Sequence, residues 1–222
     1  MFLISDVKKK YGKKQVLNGA ELSVAPGECI GLLGMNGSGK STLLNILSGV
    51  ISCDCGSFCF EGRELLKDKK LREALVGFVP QNPPLIEELS AKDNLLLWYS
   101  KEALNESLQC GIVKAFGIDG FLKTPVNKMS GGMKKRLSIA CAMSRSARLM
   151  LMDEPSAALD PVCKEQIKEY IKDYCAAGNS VIISTHDVTE LEICNRLLVL
   201  KDGKLSQYVY DGDPNSLARA LL

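Results

Sequence analysis

The chain has 222 residues, of which 46% are apolar and 24% charged, and a formal net charge of +2. That length and apolar content suit one compact domain with a sizeable core and exclude a disordered chain, while so small a positive charge gives no footing for nucleic-acid binding. No apolar run approaches the length of a membrane span, and nine scattered cysteines beside a single histidine read as reduced thiols rather than a disulfide framework or a zinc site.

The start, Met1-Phe2-Leu3-Ile4, gives way at once to Ser5-Asp6 and Lys8-Lys9-Lys10, so no signal-peptide core forms and a cytosolic chain is expected. β-rich runs at 3–7, 16–24, 29–33 and 57–60, broken by Pro26-Gly27 and Glu61-Gly62, predict strands. Between the third and fourth lies Gly34-Met35-Asn36-Gly37-Ser38-Gly39-Lys40-Ser41-Thr42, followed by Leu43, Leu44, Ile46 and Leu47 at helical spacing. A further strand, Val76-Gly77-Phe78-Val79, ends at Pro80 and Gln81. Residues 83–145 lack convincing strands but carry helical runs at 91–100, 105–116 and 132–144, which predicts an inserted α-helical subdomain. Strand and helix then alternate: a strand at 149–152, a helix at 161–177 capped by Asp160 and closed by Gly178, a strand at 181–184, a short helix at 188–193, a strand at 197–201 and a last short helix from about 215. That order means a parallel sheet covered by helices. The fold class is α/β: a P-loop NTPase core, an N-terminal antiparallel β-rich part and the helical insert, all in a single domain over 1–222. The basic runs at 8–10, 67–70 and 134–136 are expected to be solvated faces.

The loop after the third strand carries the chemistry. Gly34, Gly37 and Gly39 let backbone N–H groups point at phosphate oxygens, and Asn36 and Ser38 lie within the same turn. Lys40 adds a mobile positive charge, Ser41 offers a hydroxyl to Mg²⁺, and Thr42 opens a helix whose N-terminus faces the phosphates. This is the pattern of a nucleoside-triphosphate site. Leu149-Met150-Leu151-Met152-Asp153-Glu154 is an apolar strand that delivers two carboxylates to its end, where ligands bind in open α/β sheets. Asp153 is then a Mg²⁺ ligand, direct or through water, and Glu154 orients and polarises the attacking water.

With these two motifs and Ser130-Gly131-Gly132 between them, the chain resembles the ATP-binding-cassette ATPases from about residue 7 to 212. Ser130, Gly131 and Gly132 look like the family's signature loop. The flanking Met129 and Met133 depart from the usual Leu-Ser-Gly-Gly-Gln, and a methionine followed by basic residues, as in Met133-Lys134-Lys135-Arg136, is similar to the exporter ATPases that work with separate type-2 permeases. The resemblance implies further roles. Tyr11 stacks on adenine, Gln81 senses Mg²⁺ and the attacking water, His186 hydrogen-bonds the γ-phosphate, and the loop from Ser156 through Ala158 to Asp160 touches a second subunit. It also implies a head-to-tail dimer, with itself or a homologous ATPase subunit, in which the loop at 34–42 of one copy and Ser130, Gly131 and Gly132 of the other sandwich each ATP. The expected partner is a membrane permease docked near residues 81–97, stiffened at Pro83-Pro84, which places the protein on the cytoplasmic face of the membrane. Export is the leading reading. An importer ATPase, or a non-transport or soluble cassette ATPase acting on a membrane or nucleic-acid partner, is the alternative.

Overall fold

The computed structural model describes residues 1–82, 84–144, 147–157, 159–185 and 187–221. Pro83 and Arg145, the ends of the expected insert, lie outside them, as do Ala158 and His186.

The chain opens with an antiparallel pair, β1 (Phe2–Tyr11) and β2 (Lys14–Val24), before β3 (Cys29–Leu33) and α1 (Lys40–Ser48). Next come β4 (Cys55–Phe60), β5 (Arg63–Glu64), α2 (Lys69–Leu75) and β6 (Val76–Val79). The helical region follows as α3 (Ala91–Leu96), α4 (Lys101–Cys110), α5 (Ile112–Ala115), two 3₁₀ turns at Ile118–Phe121 and Val126–Lys128, and α6 (Gly131–Ala142). The remainder is β7 (Leu149–Asp153), α7 (Pro161–Ala176), β8 (Ser180–Ser184), α8 (Val188–Leu191), β9 (Arg196–Lys201), β10 (Lys204–Tyr208) and α9 (Pro214–Leu221).

Two sheets form. The N-terminal one is four-stranded in the order β2-β1-β4-β5, with antiparallel pairing, and the second is six-stranded in the order β10-β9-β3-β8-β7-β6. Within the second, β3, β6, β7, β8 and β9 run parallel, and only the edge strand β10 is antiparallel. Apolar side chains alternate across this sheet. Leu149 and Leu151 join Ile30, Leu32, Leu44, Leu47 and Phe58 on one face, whereas Met150 and Met152 join Val181, Ile183, Ile139 and Ile167 on the other. Both faces are covered, which is why these strands read as unbroken apolar runs rather than alternating ones.

Three departures from the sequence reading have local causes. The expected helix at 91–100 stops at Leu96, because the Ser100 hydroxyl accepts from the Ala103 N–H and caps a new helix. The run at 105–116 breaks at Gly111, where a Cβ would come within 2.7 Å of Ser107 and the Ser107 hydroxyl accepts from the Val113 N–H. Lys8, Lys9 and Lys10 are part of β1, and Lys9 is not a solvated face: its side chain is 14% exposed and pairs with Asp54 at 3.2 Å. The basic run at 67–70 meets its expectation, since Lys67, Lys69 and Lys70 are exposed as the chain enters α2, which Asp68 caps by accepting from the Leu71 N–H. The helix α7 matches its sequence signals: Asp160 accepts from the Cys163 N–H at 2.9 Å, and Gly178 follows with φ +84°.

Candidate active site

β3 is wholly buried and runs into the glycine loop, so the loop is launched from the middle of the sheet between β8 and β9. Gly34 and Gly39 are required by shape as well as by φ. A Cβ on Gly34 would sit 2.6 Å from Ser38 Oγ and 2.8 Å from Leu200 O, and one on Gly39 would sit 2.9 Å from Val16 Cγ1. Gly39, with φ +111°, is the N-cap of α1 and brings no side chain to the first turn, so the leading N–H groups of the helix stay open to an anion. Lys40 folds back over the loop: its Nζ donates to Gly34 O at 2.7 Å and to Met35 O at 3.2 Å. Burial lowers the pKa of this ammonium, while Glu154 and Asp153 act to raise it.

The loop forms one wall of a cleft of about 600 Å³. Asn36, Gly37, Gly39, Lys40, Ser41 and Thr42 line it, and Tyr11, Lys14, Val16, Gln81 and Glu154 come from other elements. Tyr11 is half exposed at the end of β1, with Lys9 Nζ 5.5 Å from its ring centre. Gln81 Nε2 donates to Glu154 Oε2 at 2.8 Å, joining the end of β6 to the end of β7. Glu154 holds φ +47°, a left-handed conformation that costs a non-glycine residue about 1–3 kcal/mol and marks a constrained site. Asp153 is buried directly behind, and the Ser184 hydroxyl of β8 donates to its Oδ1.

Other site residues named from sequence fall elsewhere. Ser38 lies under Gly34, its buried hydroxyl without a hydrogen-bond partner among the described residues. Ser130, Gly131 and Gly132 form the N-terminus of α6, where Ser130 Oγ accepts from the Met133 N–H, and they do not line the cleft. Asp160 sits beside them: a Cβ on Gly132 would be 3.7 Å from its Oδ2. Its hydrogen bonds from Cys163 lower its pKa. His186 lies outside the described residues.

Several residues here had no motif to announce them. Lys135, grouped by sequence with a solvated basic run, is buried, and its Nζ donates to Pro80 O and Gln81 O, each at 3.1 Å. Burial lowers its pKa to about 8, against the pull of Asp153, Glu154 and Glu190. Its place on the same helical face as Ser138 and Ile139 was a usable signal. Glu190 is also buried, in a second cavity of about 450 Å³ shared with Glu154, Ser156, Lys164, Thr185 and Asp187, and burial raises its pKa. A third groove, of about 590 Å³ and mainly apolar, runs between the sheet and the helical region past Val50, Phe78, Pro80, Leu85 and Trp98.

A family model described as ABC transporter matches residues 17–157. The chain is 35% identical to the lantibiotic transport ATP-binding protein SrtF of Streptococcus pyogenes over 217 residues, covering 97% of this chain and 93% of that protein. It is 34% identical to the Nod factor export ATP-binding protein I of Rhizobium etli, across 98% of this chain and 70% of that one, and 32% identical to the linearmycin resistance ATP-binding protein LnrL of Bacillus subtilis, across 92% and 68%. Among solved structures, it superposes with a TM-score of 0.88 on an ATP binding subunit of an ABC transporter at 25% identity, covering 100% of this chain and 99% of that one. On the dimeric post-hydrolysis cassette MJ0796 bound to ADP and Pi the TM-score is 0.84 at 28% identity, across 96% and 100%.

Proposed function

The chain belongs to the ABC transporter family and is the ATP-binding, ATP-hydrolysing subunit of such a transporter; we propose that it powers export through a separate membrane permease, with Glu154 polarising the attacking water. One observation carries the assignment of Glu154: its hydrogen bond from Gln81 closes the same cleft that the glycine loop and Lys40 line. The phosphates lie against the backbone N–H groups of the loop and the first turn of α1, and Lys40 exchanges its contacts with Gly34 O and Met35 O for phosphate oxygens. Tyr11 covers the adenine at the open end of the cleft. Glu154 accepts a proton from water as the water oxygen bonds to the γ-phosphorus and the bond to the oxygen bridging the β- and γ-phosphates breaks, leaving ADP and inorganic phosphate, and Gln81 holds the carboxylate in place for that transfer.

The donor chemistry fits Mg²⁺, because the Ser41 hydroxyl, the Asp153 carboxylate and the Gln81 amide oxygen are hard oxygen ligands. Gln81 spends its Nε2 on Glu154 and keeps its Oε1 as an acceptor. The bound ion supplies neutralisation of phosphate charge.

The position of Ser130, Gly131, Gly132 and Asp160 away from the cleft supports a shared site, completed by a second copy or a homologous subunit in a head-to-tail dimer. Dimerisation in a solved relative at 28% identity supports the same reading. The described helices include none long and apolar enough to cross a membrane, and the export and transport names of the relatives support a permease partner, which holds the subunit on the cytoplasmic face. The apolar groove with Leu85 and Trp98 suits that docking, since Trp98 is half exposed on it. Co-expression with a candidate permease tests this. Membrane recovery and ATP-dependent efflux are expected, both lost in Trp98→Glu while the isolated subunit still binds ATP. A subunit that stays in the soluble fraction, with no permease captured by crosslinking in either nucleotide state, refutes the permease assignment.

A further inference from the structure

Lys135 is a buried cation that donates to two backbone carbonyls, and its position makes those partners informative. Burying an ammonium is costly unless its protons are satisfied, and here two of them reach Pro80 O and Gln81 O. Its neighbours in the chain are spent differently. Lys134 pairs with Glu87 at 3.2 Å near the surface, and Arg136 donates to Phe116 O at 2.9 Å within the helical region. Lys135 alone of the three reaches from α6 to the end of β6, where the chain leaves the sheet.

What it holds is the residue that holds Glu154. The backbone of Gln81 accepts from Lys135, and the side chain of Gln81 donates to Glu154. At its other end, α6 begins at Ser130, whose hydroxyl caps it. From Ser130 to Lys135 is little more than one helical turn, about 7.5 Å of axial rise, too short to bend appreciably. A displacement of the Ser130, Gly131 and Gly132 loop therefore carries Lys135 with it, and Lys135 carries the Pro80 and Gln81 backbone.

We infer that Lys135 is a positioning residue that couples the nucleotide held by a second copy at Ser130, Gly131 and Gly132 to the Gln81 and Glu154 pair in its own cleft. The inference rests on the shared-site reading above. Through Lys135, closure of one site sets the carboxylate of the other, so the two sites turn over in concert.

The test uses the full-length subunit and ATP. Lys135→Met keeps the aliphatic stem and removes the charge and both hydrogen bonds. Its kcat is expected to fall roughly 2- to 30-fold, the range seen for residues that carry coupling between sites, and its Hill coefficient for ATP to fall toward unity. Fluorescent-nucleotide binding to the monomer stays at the parent value. Lys135→Arg, whose guanidinium can donate to both carbonyls, restores the Hill coefficient. A packing role alone would lower the melting temperature without selectively removing cooperativity, and arginine would not rescue it. If Lys135→Met does not accumulate as folded protein, Lys135→Gln, whose amide reaches one carbonyl without charge, is judged by the same two numbers. An unchanged Hill coefficient, with kcat within about twofold, in the folded variant overturns the inference. Failure of the shared site is distinguished in parallel: a Glu154→Gln parent that forms no ATP-dependent dimer rejects the sandwich whatever Lys135 does.

Discussion

Replacing Glu154 by glutamine separates proton acceptance from geometry, because the amide is nearly isosteric with the carboxylate. Gln81 Nε2 donates to Glu154 Oε2 at 2.8 Å, and the new amide oxygen can accept the same bond. The φ of +47° is no harder for glutamine than for glutamate, so the fold of the loop is kept. Lys40 loses one of the two carboxylates that support its charge but retains Asp153. Nucleotide binding should therefore be preserved. What disappears is a positioned base, worth about 10²- to 10⁴-fold in rate, or about 2.7–5.4 kcal/mol at about 1.36 kcal/mol per decade. Steady-state phosphate release should fall by that factor, while size-exclusion chromatography with ATP shows a dimer that accumulates because it cannot hydrolyse its way open. A kcat within about fivefold of the parent, which is well short of the loss for a general base, would remove Glu154 from the catalytic role.

Three further outcomes are expected. Tyr11→Ala should weaken ATP binding by about 1–3 kcal/mol with little change in kcat, and titrations in which ATP and inorganic triphosphate respond equally would reject adenine stacking. Mixing Lys40→Ala with Ser130→Arg subunits places both defects in one site of the mixed dimer and leaves the other intact; activity above the sum of the separate variants is expected, and its absence argues against sites shared between copies. Glu190→Gln should stabilise the protein at pH 8 more than at pH 4. Burial raises the native carboxyl pKa above 4.5, offset in part by the Thr185 and Ser156 hydroxyls, with Asp187 raising and Lys164 lowering it. The native state therefore binds more protons than the unfolded one above that value, and stability falls as pH rises through the native pKa. Calorimetric melting at the two pH values checks this, and an equal gain at both would refute it.

Much of the fold was legible because its signals are local. The glycine loop is one stretch of nine residues from Gly34 to Thr42, the apolar runs at 29–33, 149–152 and 181–184 are strands buried on both faces, and Asp160, Pro161 and Gly178 punctuate α7 within one helix length. Other boundaries escaped because Ser100 and Ser107 act through hydroxyl-to-backbone bonds that an apolar periodicity does not register. The strand β10 escaped too, since it pairs with β9 at the sheet edge and its sequence carries no apolar alternation. Sequence by itself determined the chemistry on offer: a phosphate loop, two carboxylates at a strand end and a serine–glycine helix start. Only the tertiary structure decided which of these groups meet. Gln81 bonds to Glu154 across 73 positions of chain because β6 and β7 are neighbours in parallel register, and Ser184 reaches Asp153 across 31 because β7 and β8 are. Lys135 shows the limit most clearly, for a lysine in a basic run looks solvated from its type alone, and its burial against Pro80 and Gln81 follows from α6 packing over the end of β6. Motifs are written in short-range covalent order, whereas a buried charge and its partners are chosen by the long-range packing of elements, which local periodicity does not encode.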